Sequence, residues 1–369
     1  MKKFPLMMVL LVLACIVSLS QPACAQADKA AAARPQAKAA PRNLAILIFN
    51  GVQIIDYTGP YETFGHVYSE DGPAFNIYTV SEKTDAITTS MGMSVNPKYS
   101  FENAPKPDVL LIPGGDVRGQ LASPTVLQWV RDQAKGAEIV LSVCNGAFIL
   151  AKADLLDGLE ATTTAGLIPR LKEEAPKTKV VDDRRFVDNG KFITAAGLSS
   201  GIDGALHVIE RLFGKGTAQM AALGMEYNWD PESKFVRAAL ADKYMRFNYD
   251  VKVQDGGWKP LSREGSVDRW ENRWAVTPQG SAADLLESVN NTIASNKTYD
   301  EKSALVRWTR TTDKASHKTA TQSSWRFTDE KGASWNGLVS VEPLAGEPNH
   351  FTLSVKIARG NSSARLSAK

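Results

Sequence analysis

The sequence predicts a doubly wound α/β domain with a mainly parallel sheet, joined to a smaller C-terminal α+β domain. Short apolar runs alternate with segments of helical spacing, which is typical of strands and helices that pack in layers. The runs of strand length lie at residues 43–49, 75–81, 109–112 and 138–143. Between the last two runs, residues 123–135 place Val126 and Val130 on one helical face.

Three segments that follow predicted strands carry residues suited to a binding site. Asp56, Gly114-Gly115 and Cys144 each come after one of the apolar runs. In doubly wound folds, ligands bind beyond the carboxyl ends of the strands. We therefore expect these segments to converge on one crevice.

Composition divides the remainder of the chain. An Ala-rich, low-complexity stretch precedes the α/β domain, and a charged, uneven stretch with Asp255-Gly256-Gly257 follows it. The predicted order is a signal peptide (1–25), an Ala-rich linker (26–42), the α/β domain (43–229), a connecting segment (230–268) and the small α+β domain (269–369).

The N-terminus has the order of a secretory signal peptide. Lys2-Lys3 is followed by an apolar run at residues 6–17 and by the small-residue site Ala23-Cys24-Ala25. We expect cleavage after Ala25 and export, so that the mature chain is periplasmic or secreted. The apolar run is shorter than the about 20 residues that cross a bilayer, so no membrane span is expected.

The cysteine count singles out Cys144. Cys15 and Cys24 leave with the signal peptide, so one thiol remains and no internal disulfide can form. A lipoprotein that uses Cys15 or Cys24 is the less favoured alternative, because Cys15 lies inside the apolar run. A lone cysteine is often only a small buried hydrophobe, so its neighbourhood must decide its role.

Charge excludes two classes of partner. The chain has 43 Lys and Arg against 40 Asp and Glu, and this net charge of +3 includes no long run of either sign. Neither nucleic acid nor a charged membrane surface is therefore expected as a partner, and a small-molecule substrate is favoured.

The segment around Cys144 predicts a nucleophile elbow. An apolar strand runs directly into Cys144, and Gly146 permits a tight turn into a helix. The partial positive charge at the start of that helix favours a thiolate. The backbone amides of Asn145 and Gly146 are candidates for stabilising developing negative charge.

Four segments in order resemble the ThiJ/PfpI superfamily of glutamine-amidotransferase-like domains, whose fold is flavodoxin-like. Within it, they are similar to the isonitrile hydratase group and to the amidase-like half of AraC-type regulators. The segments are LAILIFNGVQIIDYTGPYETF, LLIPGG, SVCNGAFILAKADLLDG and AAGLSSGIDGALHVIERLFG, within residues 43–228. Domains of this superfamily often pair, so a homodimer is compatible with the resemblance.

The resemblance implies roles for individual residues. Asp56 takes the place of the acidic residue beside the cysteine, where a protonated carboxyl would hydrogen-bond a thiolate and act as general acid. The alternative for Asp56 is an exposed residue that starts a helix. Gly115 takes the place of a backbone amide that faces the cysteine, or is simply a turn glycine. Glu62 is a candidate second carboxylate, although a solvent-facing charge is an equal alternative.

Two departures limit what the resemblance implies. Related domains often have a histidine at the end of ATTH, where this chain has Thr164 in ATTTAG. Since no imidazole is supplied there, a carboxyl is the favoured activator and a peptidase loses ground. The isonitrile hydratase motif has threonine after the cysteine, where this chain has Asn145, and an amide is a poor proton carrier.

Beyond residue 268 the resemblance ends. The spacing of Trp270 and Trp274, the amphipathic run at 281–295 and the alternation at 351–357 predict a small antiparallel sheet with one helix. This pattern is not a helix-turn-helix pair. Its aromatic residues are more typical of a core, but an exposed subset is a candidate surface for a flat ligand or an unidentified partner.

The leading hypothesis is a cysteine-dependent hydratase or hydrolase that acts on a small electrophilic carbon, with isonitrile hydration to an N-substituted formamide as the named reaction. Cys144 and Asp56 would be catalytic, with adduct stabilisation by Gly115 and Asn145, and no metal or organic cofactor is expected. The alternative is an exported redox-sensing or small-molecule-binding module without turnover. Glyoxalase or deglycase-like chemistry is a weaker alternative because the imidazole is missing.

Overall fold

The computed structural model describes residues 40–70, 72–233, 235–245, 249–295, 306–311, 321–344, 346–347 and 349–360. The expected signal peptide, most of the Ala-rich linker, Cys15 and Cys24 lie outside the described residues. Over these ranges the structure contains no helix long and apolar enough to cross a membrane.

The helices are short to medium in length. They are α1 (Ile54–Gly65), α2 (Arg118–Ala122), α3 (Pro124–Gly136), α4 (Gly146–Lys152), α5 (Ile168–Glu174), α6 (Ser200–Phe213), α7 (Lys215–Gly224) and α8 (Ala282–Ala294). Turns of 3₁₀ helix occupy Ala165–Leu167, Arg237–Ala239 and Ala241–Tyr244.

The strands range from two to thirteen residues. They are β1 (Arg42–Leu47), β2 (Tyr68–Ser69), β3 (Gly72–Pro73), β4 (Phe75–Ser81), β5 (Ile87–Thr88), β6 (Ser94–Val95), β7 (Tyr99–Ser100), β8 (Val109–Ile112), β9 (Ile139–Val143), β10 (Glu160–Ala161), β11 (Lys179–Val180), β12 (Phe186–Asp188), β13 (Phe192–Ala195), β14 (Val253–Gly265), β15 (Arg269–Pro278), β16 (Thr309–Thr311), β17 (Gln322–Thr328), β18 (Ser334–Pro343) and β19 (Phe351–Arg359).

The first region is built on a seven-stranded sheet of order β12-β13-β9-β8-β1-β4-β7. All its pairings are parallel except that of β12 with β13. The central strands are aliphatic and fully buried, as β8 and β9 show. Burial on both faces explains why these strands are continuous apolar runs rather than alternating ones.

Helices cover the two faces of this sheet. Helix α6 packs on β9 and contacts α1 and α7, whereas α4 packs on β8 and β9 and contacts α2 and α3. Leu141 and Val143 lie against glycines of α6, and side chains alternate along a strand, so the even-numbered residues of β9 face the other layer. The predicted mainly parallel, flavodoxin-like sheet is confirmed.

The predicted helix at 123–135 forms with one-residue accuracy because its start is encoded locally. Ser123 accepts a hydrogen bond from the backbone N–H of Val126, and Pro124 occupies the first turn. A serine cap satisfies an otherwise unpaired amide, and proline fits the first turn because it has no N–H to lose.

The second region is a six-stranded antiparallel sheet of order β14-β15-β19-β18-β17-β16. Helix α8 packs on β18 and β17, and Ser281 with Asp284 closes its start as a capping box. Its core is rich in aromatic side chains, with Trp274 and Trp335 almost fully buried. The chain therefore carries an additional C-terminal domain rich in antiparallel strands, with one helix packed on the described sheet.

The connecting segment is shorter than the sequence indicates. Residues 253–265, placed by composition in the segment 230–268, form β14 and pair with β15. The strand is at the edge of the sheet and mostly exposed, so it lacks the apolar alternation by which a strand is recognised. Pro260 is compatible with this position because an edge strand need not donate every N–H.

Candidate active site

Cys144 lies at a sharp elbow between β9 and α4. Its φ is 57°, in the left-handed region that residues with a Cβ rarely adopt. Its N–H donates to the carbonyl of Ala195 at 3.1 Å, and its carbonyl accepts the Thr163 hydroxyl at 2.9 Å. These bonds hold the strained residue from both sides and leave the thiol half-buried.

Close backbone packing around the elbow requires two glycines. A Cβ at Gly146 would lie 2.1 Å from the carbonyl oxygen of Ile112, and a Cβ at Gly114 would lie 2.1 Å from Oδ1 of Asn145. Any larger residue would push α4 away from the end of β8. Glycine at these positions therefore sets how closely the elbow approaches the neighbouring strand.

Asp56 lies in the first turn of α1 and is fully buried beside Cys144. Its Oδ1 accepts the Leu198 N–H at 3.0 Å, and its Oδ2 accepts the Gly114 N–H at 3.2 Å. Burial raises the pKa of this carboxyl to about 6, although bonds from Leu198, Cys144 and Gly114 favour the ionised form. Asp56 can therefore exchange a proton near neutral pH.

The surroundings of Cys144 favour the neutral thiol, whereas the helix start considered alone favours a thiolate. Burial and then the Asp56 charge raise the pKa of Cys144 to about 12, against opposing contributions from the Asn145 N–H and Thr164. Desolvation of the sulfur outweighs the helix start, because α4 is only seven residues long. Near pH 7, Asp56 is thus the carboxylate that can accept the thiol proton, rather than the protonated acid the resemblance implied.

The side chain of Asn145 and the backbone of Gly115 are joined by two hydrogen bonds. Oδ1 of Asn145 accepts the Gly115 N–H at 2.7 Å, and its Nδ2 donates to the Gly115 carbonyl at 2.8 Å. The Gly115 amide is therefore engaged and does not fit the expected role of stabilising an adduct on Cys144. The Asn145 backbone N–H favours the ionised form of the sulfur and lowers the pKa of Cys144.

Glu62 does not fit the expected second carboxylate. Its side chain is 71% exposed and pairs with Nε2 of His66 at 3.2 Å, one helical turn further on. His207 is likewise engaged elsewhere, with Asp188 at 2.8 Å and Glu210 at 3.2 Å. The site thus contains one acid and one thiol rather than two carboxylates.

Three contacts of the site had no distinct signal in the sequence. The Thr164 hydroxyl bonds the sulfur of Cys144, although sequence alone identified it only as a missing histidine. A Cβ at Gly197 would lie only 3.2 Å from the Cβ of Cys144, and Leu198, with φ of 50°, follows this glycine. The segment AAGLSSG carries part of the family resemblance, but its sequence does not indicate that it closes on the thiol.

Within the described ranges, no group of three or more His, Cys, Asp or Glu side chains is placed to hold a metal ion. The arrangement can form a covalent bond through sulfur and relay one proton through Asp56.

Comparisons with known proteins identify relatives of the α/β region. Residues 42–211 match the DJ-1/PfpI family. The isonitrile hydratase of Pseudomonas putida is 35% identical over 188 residues, which are 50% of this chain and 78% of the hydratase. The HTH-type transcriptional regulator CdhR of Pseudomonas aeruginosa is 26% identical over 168 residues, 46% of this chain and 50% of the regulator.

A solved structure of a ThiJ/PfpI family protein from Pseudomonas syringae is 28% identical, with a TM-score of 0.47 over 53% of this chain and 78% of that chain. The match to the hydratase extends over most of that protein's length at more than 30% identity, and the family match spans the seven-stranded sheet. The chain therefore belongs to the DJ-1/PfpI family.

Proposed function

We propose that this protein is a cysteine-dependent hydratase that converts a small isonitrile to an N-substituted formamide. The observation that carries the proposal is the direct contact between the Cys144 thiol and a buried carboxyl whose pKa lies near 6. A base of that pKa is suited to take a proton from a nucleophile at neutral pH and to return it to the adduct.

The proposed reaction has two stages. Asp56 takes the thiol proton as sulfur attacks the terminal carbon of R–NC, and that carbon then receives the proton, giving R–N=CH–S–Cys144. Water adds to the same carbon while the nitrogen is protonated. The carbon–sulfur bond breaks, sulfur regains a proton, and R–NH–CHO leaves, so that one water is consumed for each formamide.

Two groups are in place to stabilise charge on sulfur during this cycle. The Asn145 N–H and the Thr164 hydroxyl both favour the ionised form of Cys144. They take over the role that the resemblance gave to Gly115. Because both groups are fixed before substrate arrives, they require little reorganisation as the thiol is deprotonated.

A relative of this chain supports isonitrile hydration as the reaction. The Pseudomonas putida protein is an isonitrile hydratase, and the matched region includes 78% of its length. We also infer, from the N-terminal pattern of Lys2-Lys3, apolar run and small-residue cleavage site, that the protein acts after export, in the periplasm or outside the cell.

The test is turnover of a panel of alkyl and aryl isonitriles by the mature chain, residues 26–369, with formamide measured by mass spectrometry. We expect formamide from at least one isonitrile and none from Cys144→Ala. Ser142, which lies in β9 two residues before Cys144 and is fully buried, offers a matched control as Ser142→Ala, which should retain turnover. Absence of formamide from the whole panel, or equal turnover by Cys144→Ala, would overturn the proposal.

Peroxide treatment of the same preparation distinguishes the hydratase from the redox-sensor alternative. A thiol whose pKa is raised to about 12 contains little thiolate at neutral pH, so slow oxidation by peroxide is expected. Rapid gain of one or two oxygens on Cys144 by intact mass, without turnover of any isonitrile, would favour the sensor instead.

A further inference from the structure

The turn that closes on the active site contains two adjacent residues in unfavourable conformations. Gly197 has φ of 136° and Leu198 has φ of 50°. The Leu198 N–H is the donor to Oδ1 of Asp56, and Gly197 packs against Cys144. Residues held in such conformations persist only where the surroundings fix them. Something must therefore hold this turn in place.

Arg185 bonds the chain on both sides of the turn. Its carbonyl accepts the Ala196 N–H at 2.8 Å, and its Nη2 donates to the Ser199 hydroxyl at 3.2 Å. Its Nε donates to Oδ2 of Asp203 at 2.7 Å, in the first turn of the helix that follows. The guanidinium is only 10% exposed, and its planar fork fixes several acceptors at once.

The same guanidinium reaches the segment that leads into the C-terminal domain. Its Nη1 donates to the carbonyl of Phe235 at 2.8 Å. The 3₁₀ turn at Arg237–Ala239 packs against the 3₁₀ turn at Ala165–Leu167, which directly follows Thr164. Two walls of the site, the Gly197–Leu198 turn and the Thr164 loop, are thus in contact with the residues around 235–239.

We propose that Arg185 is a positioning residue that holds the Gly197–Leu198 turn against the Cys144–Asp56 pair and ties this turn to the segment leading into the C-terminal domain. The inference rests on the Cys144–Asp56 pair of the proposed function, but not on which substrate that pair converts. Its consequence is that Arg185, without touching the thiol, determines whether the Leu198 amide reaches Asp56.

The pKa of Asp56 should respond strongly to loss of the Leu198 hydrogen bond, because few charged groups surround this carboxyl. Cys144 is the titratable side chain in contact with the Asp56 carboxyl, and the other contacts are the Leu198 and Gly114 amides. On α6, which packs on α1, the buried Asp203 is neutralised by Arg185. On α1 itself Glu62 is exposed and paired with His66. Loss of the Leu198 bond therefore disfavours the ionised carboxyl with little compensation from nearby charge.

The experiment measures the rate at which iodoacetamide alkylates Cys144 in the mature chain between pH 5 and 8, by intact mass. This chain retains a single cysteine, so the label is unambiguous. In the wild type the rate should rise with a midpoint near 6 as Asp56 ionises. Arg185→Lys keeps a cation opposite Asp203 but loses the planar guanidinium that bonds Asp203, Ser199 and Phe235 together. The midpoint should then rise by about one pH unit. At pH 6 this shift corresponds to a fall of about fivefold in the alkylation rate.

Two further variants keep the test decisive. Ser199→Ala removes the exposed hydrogen bond between Arg185 and the Ser199 hydroxyl. It should shift the midpoint in the same direction as Arg185→Lys but by less. Tyr227→Phe removes a hydroxyl that donates to Asp203 at 3.1 Å but leaves the Arg185 bonds to Asp203, Ser199 and Phe235 in place, so it should leave the midpoint unchanged. If Arg185→Lys does not fold, Ser199→Ala decides. Folded variants with the wild-type midpoint would overturn the proposal, and because no isonitrile is used, this result is separate from failure of hydration.

Discussion

Two buried aspartates on neighbouring helices have opposite electrostatic surroundings. Asp56 and Asp203 each lie in the first turn of a helix, α1 and α6, and these helices pack together. Burial is the largest influence on both carboxyls and raises both pKa values. Asp203 contacts the Arg185 guanidinium and the Tyr227 hydroxyl, whereas Asp56 contacts two backbone amides and a thiol.

The difference separates a structural carboxyl from one suited to chemistry. A buried carboxylate with a matched cation is held in its charged form and contributes to the fold through that pair. A buried carboxylate held only by neutral donors remains close to its proton, so it can accept and release one during a reaction. The two regions therefore predict opposite consequences for the same substitution.

The largest expected effect is on reactivity at Asp56. Asp56→Asn should lower isonitrile turnover at pH 7 by about 100-fold or more, because the group that takes the thiol proton and returns it to the adduct is gone. Its free energy of unfolding at pH 7 should change by about 1 kcal/mol or less, since relief of the buried charge offsets one lost hydrogen bond. Turnover close to that of the wild type would contradict the role of Asp56 as base.

The reverse pattern is expected at the other aspartate. Asp203→Asn leaves the Arg185 guanidinium buried without its counter-charge, so urea denaturation should give a loss of about 3–5 kcal/mol in unfolding free energy. Tyr227→Phe is the matched control, with an expected loss of about 1 kcal/mol from one hydrogen bond. Equal stability of Asp203→Asn and Asp56→Asn would remove the distinction between the two sites.

The third expectation concerns pH. The folded pKa of Asp56, about 6, lies above its unfolded value near 3.8, so the folded state binds the extra proton. The contribution of Asp56 to stability is fully present below about pH 3.8 and is lost as pH rises through 6. Relative to Asp56→Asn, the wild type should lose about 2.4 kcal/mol between pH 4 and pH 7, measured by urea denaturation at each pH. A difference that is constant with pH would contradict the raised pKa.

The smallest expected effect is at Asn145, whose side chain makes two hydrogen bonds to the Gly115 backbone. Asn145→Ala removes both hydrogen bonds to the Gly115 peptide and should lower the unfolding free energy by about 1–2 kcal/mol. It should leave the pH midpoint of Cys144 alkylation near 6, because the Asn145 backbone amide remains beside the sulfur. A midpoint shift as large as that expected of Arg185→Lys would mean that the Asn145–Gly115 hydrogen bonds, rather than Arg185, set the pKa of Asp56.

Much of the α/β region could be predicted because its signals are local. The aliphatic runs of β4 and β8 match the predicted strands residue for residue, and Ser123 with Pro124 marks the start of α3. The edge strand β14 was not recognised, because its exposed residues carry no alternation. The short strand β13 also extends the sheet beyond β9, and only pairing in three dimensions places it there.

The candidate site was predicted in part. Cys144 and Asp56 do meet, and the Asn145 amide does reach the sulfur. Helical spacing from Asp56 makes Glu62 a candidate for the site, and the resemblance places the Gly115 amide there. Their actual partners are His66 and the Asn145 side chain. Sequence spacing gives proximity along the chain, whereas hydrogen-bond partners depend on which groups remain unsatisfied after folding.

The fold class and the elbow at Cys144 follow from the sequence alone, because hydrophobic periodicity and turn residues act over a few neighbouring positions. The family follows from the resemblance of four segments. The tertiary structure decided where the proton rests. That outcome depends on burial of Cys144 and Asp56 and on amides from Gly114 and Leu198, which lie 58 and 142 residues from Asp56 along the chain. Desolvation and hydrogen bonding are properties of the packed site, so no local pattern contains them.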